Sequence, residues 1–279
     1  VGLSMSGIFK GLNQGQIDRR IREGRGQGHG PDYKPFIYTR DVSSLGRSHR
    51  IYGNKCRRLH HLLSDLELAV LLTLDWSPHV IDIREQFPLR VEDTVRLAQE
   101  HGLPHGKFQG AAQVLTSDFL VDFDDQSRPA IAFQAKYSAD LAKPEVIERL
   151  ELERQYWAEK NIPWYIVTEM DFTKTAFNNI QWLYPVQTED AVAADDLEHY
   201  LGLFSKEFMQ APDRQITAVA QSLDMVYELE PGQALYWLRQ LLARRYFIFD
   251  ITAPYRTLLG SQLTLNDDWQ GVTQAYAAG

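Results

Sequence analysis

Between residues 62 and 76 apolar side chains recur at Leu63, Leu66, Val70 and Leu74, a spacing of three and four that places them on one side of a helix. Trp76-Ser77-Pro78 closes the run, because a residue before proline is pushed out of helical geometry. The spacing predicts a helix from Leu62 to about Leu74. Beyond it the period changes. Val80 to Leu89 (VIDIREQFPL) alternates well enough to be a strand, and Pro88 places its end near a sheet edge. Gln113 to Phe123 and Ala130 to Tyr137 are two further strands, joined into a hairpin by the polar turn Asp124-Asp125-Gln126-Ser127-Arg128-Pro129. Pro144 and Glu145 open a long helix, EVIERLELERQYWAEK, in which Val146, Leu150, Arg154 and Trp157 give one largely apolar face. Ile162 to Thr168 (IPWYIVT) reads as a buried strand after it. Strand, hairpin, helix and strand predict an α/β fold, a mixed sheet with helices packed on it.

The flanks differ. Gln16 to Glu23 reads as a short helix stopped by Gly24, and a loop-rich stretch with one short extended segment, Pro35 to Tyr38, runs on to His60. After Thr168 the pattern becomes helical, at Phe177 to Leu183, Asp195 to Met209, Gln215 to Val226 and Gln233 to Ala243. Two short strands, Phe247 to Ile251 and Thr257 to Leu263, flank Ala253-Pro254-Tyr255-Arg256. Helices followed by a hairpin is the order of a winged helix. With 279 residues the chain can bury two cores, and the change of pattern divides it into 1–168 and 169–279.

Composition narrows the function classes. Cys56 is the only cysteine, which rules out an intrachain disulfide and a cysteine-rich zinc module and suits a reducing, cytoplasmic compartment. The first sixteen residues lack the apolar core of a signal peptide, and the most apolar run, LELAVLLTLDW, is too short for a bilayer and carries charges, so membrane roles are not expected. The net charge of −8 conceals an asymmetry. Residues 1–60 hold twelve basic side chains against four acidic ones, and the remainder holds seventeen against thirty-three. Arg19, Arg20, Arg25, Arg47, Arg50, Lys55, Arg57 and Arg58, interleaved with glycine, could therefore lie along a phosphate backbone. A solvated, partly flexible arm accounts for the same composition.

Chemistry collects around the predicted hairpin. A turn centred on Gln126 places Asp118 opposite Gln134, and alternation turns Lys136 to the same face. A helix packed on that face brings Glu67 within reach. Two carboxylates and an amide oxygen suit Mg²⁺, and a nearby lysine can stabilise a pentacovalent phosphate or hold the attacking water, the requirements of phosphodiester hydrolysis. Plain structural roles exist beside this: Ser64-Asp65-Leu66-Glu67 matches a capping box, Asp118 could be a strand-edge residue and Lys136 a solvated one. His60 and His61 diverge as neighbours and make a poor metal pair, while Arg84 and Gln86 could position DNA or serve only as structural hydrogen-bonding groups.

The pattern resembles the restriction-endonuclease-like superfamily: a helix glutamate, an aspartate at a strand start, and acid-x-lysine on the next strand. Over nearly its whole length the chain is also similar to the TnsA transposition endonucleases, through RRIREGRGQGHGPDY, SSLGRSHRIYGNK, HHLLSDLELAV, DIREQFPL, TSDFLVD and LELERQYWAEKNIPWYIVTE. The resemblance implies a catalytic set of Glu67, Asp118, Gln134 and Lys136. Metal ligation would fall to Glu67, Asp118, Gln134 and the backbone carbonyl of Ala135, with Mg²⁺ as cofactor and Mn²⁺ able to substitute. Gln134 stands where the wider superfamily carries a second acid, so the metal site is poorer in charge and DNA phosphate oxygens would complete it.

The same resemblance implies a division of labour in which this subunit cuts the 5′ ends of transposon DNA during cut-and-paste transposition, a TnsB-type transposase cuts and joins the 3′ ends, and a TnsC-type ATPase couples them to target choice. From Asp171 onward seven basic residues face fourteen acidic ones, so the C-terminal domain is expected to dock on the ATPase or transposase, with Arg244 and Arg245 as its one basic cluster for DNA. A non-catalytic DNA-bridging protein and a stand-alone restriction-type nuclease are the alternatives.

Overall fold

The computed structural model describes residues 11–42, 47–189 and 192–266, so Lys10 of the basic segment lies outside the described residues. The chain divides into two compact units, Val1–Phe172 and Thr173–Gly279.

Unit 1 opens with α1 (Gln14–Arg22), capped by Asn13, whose side chain accepts from the Gln16 amide while the Gln16 side chain bonds back to Asn13. The end of the stretch expected to be loop-rich as far as His60 instead forms a hairpin of β1 (His49–Gly53) and β2 (Arg58–Leu62). Its alternation escaped the sequence reading because two of the three inward side chains of β2 are Arg58 and His60, with Leu62 the third. Leu62 thus completes a strand, and α2 (Asp65–Trp76) starts three residues later, where the Ser64 hydroxyl accepts from the Glu67 amide. Next come β3 (Val80–Pro88), α3 (Val91–His101), the two-residue strands β4 (Lys107–Phe108) and β5 (Ala111–Ala112), β6 (Thr116–Phe123), β7 (Ala130–Ala135), α4 (Pro144–Glu159) and β8 (Trp164–Val167).

The main sheet has the order β3-β6-β7-β8, antiparallel except for β7 with β8, which the α4 crossover makes parallel. Alternate residues of β6 serve opposite layers. Phe119 and Val121 join Leu66, Val70 and Leu71 of α2 in one core, whereas Leu120 packs with Leu97 and Ala98 of α3 and Leu152, Tyr156 and Trp157 of α4 in the other. The α3 segment is not marked by the hydrophobic pattern alone. It buries Thr94, Leu97 and Ala98, and ion pairs from Arg96 to Glu159 and from Lys160 to Asp93 join it to the end of α4. On α4 the buried stripe is Leu150, Leu152, Glu153, Tyr156 and Trp157, so Arg154 lies exposed and the expected apolar face is rotated. Glu153 can face inward because Ser117 and Trp164 both donate to it.

Unit 2 contains α5 (Lys174–Gln187), α6 (Ala194–Gln210), α7 (Ile216–Val226) and α8 (Gln233–Ala243), followed by an antiparallel ribbon of β9 (Phe247–Ile248) and β10 (Thr264–Leu265). The second strand was expected at residues 257–263, but that segment turns through a short 3-10 helix at Gly260–Gln262. Its backbone is held by the α6–α7 connection instead: Ile216 N–H donates to Leu258 O, Gly260 N–H to Arg214 O and Ser261 N–H to Pro212 O. Among the described residues no helix is long and apolar enough to cross a membrane.

Candidate active site

The β6–β7 register runs from Phe119↔Phe133 to Asp122↔Ala130, so one further step pairs Asp118 with Gln134, as a turn centred on Gln126 requires. Two side chains mark that step. The Asp118 amide donates to Gln134 Oε1 at 3.0 Å, and Asp118 Oδ2 accepts from the Ala135 amide at 2.8 Å. Asp118 and Gln134 are both buried. Lys136 follows the last residue of β7, is half-buried, and is anchored by its backbone N–H to Val167 O. Gln134 thus spends its carbonyl oxygen on positioning Asp118, whereas Asp118 Oδ1 has no such engagement with the neighbouring strand.

Glu67 arrives from the first turn of α2. Its carboxylate accepts from the Leu63 amide at 2.9 Å, from the Ser64 hydroxyl at 3.0 Å and from Gln86 Nε2 at 3.1 Å. Capping and site formation are therefore not alternatives, since the same carboxylate that braces the helix start lies close enough to Asp118 for their charges to interact. Burial, followed by the negative charge of Asp118, raises the Glu67 pKa, and the Leu63 and Ser64 bonds and Lys136 offset part of the rise. Among the described residues two buried carboxylates stand beside one half-buried lysine, and both can ionise readily only when further positive charge is supplied. Hard oxygen donors of this kind are what Mg²⁺ or Mn²⁺ takes, so the donor chemistry of Glu67 and Asp118 fits a divalent cation.

Three residues that sequence reasoning had left ambiguous or unnoticed join this framework. Gln86 holds a left-handed backbone, φ +48°, and bridges the site by donating to Glu67 while accepting from the Thr116 hydroxyl. Behind Asp118, the Ser117 hydroxyl donates to Glu153 Oε1 at 2.6 Å and accepts from Trp157 Nε1 at 2.8 Å. Burial pushes the Glu153 carboxyl up to about 7, and the charge of Asp118 adds to the rise against the bonds from Ser117 and Trp164. The sequence signal for Glu153 is a charged residue within the apolar stripe of α4.

Another acidic cluster lies elsewhere. His29, Asp82 and Asp122 offer ligand atoms within 4.8 Å of one another. Arg84 already pairs with both carboxylates, Nη2 to Asp122 Oδ1 at 2.5 Å and Nε to Asp82 Oδ2 at 3.7 Å, and Gly30 N–H and the Cys56 thiol also donate to Asp82. This arrangement is an ion-pair network that ties the N-terminal loop to the sheet. Asp122 is four residues along β6 from Asp118, about 13 Å at strand rise.

The basic N-terminal segment separates into two groups. Arg20, Arg25 and Arg58 are buried. Arg20 and Arg25 donate to Phe36 O and pair with Asp41, while Arg58 pairs with Glu85 and donates to Gly30 O and Ile83 O. Arg58 has its guanidinium donors engaged inside the fold, and Arg20 and Arg25, buried on carbonyl and carboxylate partners, present little surface to a phosphate, so the structure gives all three an internal bracing role. Arg19, Arg47, Arg50 and Arg57 are exposed and Lys55 half-buried. His60 and His61 diverge: His60 is fully buried on Glu85, and His61 packs edge-on against Tyr38.

Comparison with known proteins identifies the family. Residues 77–169 match the family model for the TnsA-like endonuclease N terminal, and residues 171–251 match the model for the TnsA endonuclease C terminal. Asp118, Gln134 and Lys136 fall inside the first match, and Glu67 precedes it. The transposon Tn7 transposition protein TnsA of Escherichia coli is 45% identical over 241 residues, covering 86% of this chain and 88% of that protein. On these matches, spanning both units, the chain belongs to the TnsA family of transposition endonucleases.

Proposed function

We propose that this chain is the Mg²⁺-dependent nuclease subunit of a heteromeric transposase, hydrolysing the phosphodiester at the 5′ ends of the transposon in cut-and-paste transposition. The observation that carries the reading is the convergence of Glu67 and Asp118, two buried carboxylates from separate elements, beside Gln134 and Lys136 in a TnsA-family chain. Glu67, Asp118 and the Ala135 carbonyl would hold the cation, whereas Gln134, expected as a further ligand, has its carbonyl oxygen on the Asp118 amide; the cation would acidify a water and neutralise the leaving oxygen. Gln134 fixes the β6–β7 pairing that aims Asp118. Lys136 holds the attacking water or the negative charge on the oxygens of the pentacovalent phosphate. Gln86, bonded to Glu67 and Thr116, keeps the helix carboxylate turned toward the sheet.

The partners are a TnsB-type transposase for the 3′ ends and a TnsC-type ATPase, and the substrate is transposon-end DNA. The test is nicking of a labelled transposon-end duplex by the complete complex with Mg²⁺, comparing the native chain with Asp118→Ala and Lys136→Ala. Loss of 5′-strand cleavage with 3′-strand cutting retained supports the assignment. Unchanged 5′-strand cleavage in both variants removes it.

A further inference from the structure

The loop between β9 and β10 returns against α5 and makes a concavity of about 400 Å³ lined by Thr175, Asn178, Gln181, Trp182, Tyr255 and Arg256. Hydrogen bonds and ring stacking brace it. Asn179, 1% exposed, donates to the carbonyls of Ile251 and Ala253 and accepts from the Tyr255 amide, which pins the loop to the helix. Tyr255 lies flat on Trp182, with ring centroids 3.9 Å apart and planes 4° from parallel. Arg239 covers the Trp182 ring at 5.2 Å and donates to its carbonyl, and Arg256 sits 5.4 Å from the centre of the Tyr255 ring.

The four-member stack leaves Arg256 preorganised but not neutralised. Arg256 is exposed, and among the described residues it has no carboxylate within ion-pair distance. Thr175, Asn178 and Gln181 recur along one stripe of α5 and bring a hydroxyl and two primary amides to the same hollow. The lining contains no acidic side chain, although from Asp171 onward the chain has fourteen acidic residues to seven basic ones. The pair first expected to meet DNA is engaged elsewhere: Arg244 donates to Glu189 O and Gln240 Oε1, and Arg245 is half-buried at φ +62°.

We propose that this hollow is a second DNA contact, in which Arg256 takes a backbone phosphate and Thr175, Asn178 and Gln181 bond to neighbouring phosphate or sugar oxygens. Guanidinium, hydroxyl and amide side chains are the groups that meet nucleic-acid backbones, and a planar arginine fork held by aromatic stacking loses little freedom on binding. An acidic protein segment would share the charge. Protein interfaces, however, concentrate their energy in a buried apolar centre, and here both aromatic faces are already covered by arginine. The proposal rests on the reading of unit 1 as a DNA nuclease, and it assigns unit 2 a DNA contact of its own.

The experiment is fluorescence anisotropy of the full chain on a short labelled duplex across a series of salt concentrations, with melting curves to verify the fold of each variant. Arg256→Ala should weaken binding about tenfold at low salt and reduce the log affinity against log salt slope by about 1, the signature of one lost phosphate contact. Arg256→Lys should restore the slope and only part of the affinity. Asn178→Ala with Gln181→Ala should weaken binding severalfold with the slope retained. An unchanged slope in Arg256→Ala, or a native chain with no measurable affinity at low salt, overturns the proposal. So does loss of poly-glutamate binding in Arg256→Ala with duplex binding intact, which would give the site to an acidic protein. If Asp118→Ala abolishes nicking while Arg256→Ala leaves the slope unchanged, this site alone fails. If the native complex does not nick, the reading of unit 1 fails.

Discussion

Replacing Glu85 by glutamine tests whether the basic segment is held from within. Glu85 is fully buried on β3 and accepts from both terminal nitrogens of Arg58, from His60 Nδ1 and from the His61 amide. Burial alone would raise its pKa, yet His60 and Arg58 hold it well below the ordinary carboxylate range. Arg58 is itself buried and keeps only its bonds to Gly30 O, Leu59 O and Ile83 O when the carboxylate charge is gone. Breaking a buried ion pair costs about 3–5 kcal/mol, and since glutamine keeps one acceptor the lower end applies, about 3 kcal/mol. For a unit of this size each kcal/mol moves the midpoint by about 2–4 °C, so Glu85→Gln should lower the melting temperature of unit 1 by roughly 6–12 °C. Differential scanning calorimetry of the full chain measures it. Adding Arg58→Met removes the stranded charge, and the double variant should recover at least about 1 kcal/mol relative to the sum of the single changes. The pH dependence has a defined sign. A depressed carboxylate contributes stability above its unfolded pKa and loses it as pH falls through the folded value. The deficit of Glu85→Gln should therefore stay constant from neutral pH down to about 4.3 and shrink only in stronger acid. A midpoint shift under about 2 °C, or additive single and double variants, would refute the internal-support reasoning.

Glu153 carries the opposite sign. Its folded pKa of about 7 exceeds the unfolded carboxylate value, so its favourable contribution is present below about 4.3 and lost as pH rises through 7. Glu153→Gln, which can still accept from Ser117 and Trp164, should be less stable or equal in mild acid and more stable than the native chain at pH 8, read from urea midpoints; the reverse order at pH 8 would contradict the burial argument. Gln86→Ala removes the amide that steadies Glu67, a bond to a charged group, and should slow single-turnover nicking about tenfold; an unchanged rate would show that Ser64 and Leu63 suffice. Burial pushes the Cys56 thiol up to about 12, so alkylating reagents at pH 8 should label it only in denaturant, and rapid labelling of the folded chain would refute its packing against Ile83 and Asp82. Arg50→Ala with Arg57→Ala should reduce the salt slope of duplex binding by up to about 2 without loss of stability; Arg20→Ala should do the opposite, and a reversal of these effects would undo the division between exposed and buried arginines.

Local periodicity encodes local geometry, and that is where the sequence by itself was decisive. It determined the α2 helix, the strands β3, β6 and β7, α4 with the strand that follows it, and the register that brings Asp118 opposite Gln134, because a polar turn between two strands leaves little choice of pairing. Tertiary structure decided what depends on distant partners. Arg58 and His60 face inward on β2 only because Glu85, some twenty-five residues further along, receives them, so their polarity hid the β1–β2 hairpin from a hydrophobic pattern. The same cause rotated the buried face of α4 onto Glu153 and brought the Arg20 and Arg25 guanidinium groups inside, onto Phe36 O and Asp41. Residues 257–263 show it for backbone groups, which found their partners at Pro212, Arg214 and Ile216 and not across the ribbon. Burying a polar group is tolerable only when a partner is supplied, and whether a partner exists is a property of the folded chain that no window of adjacent residues contains.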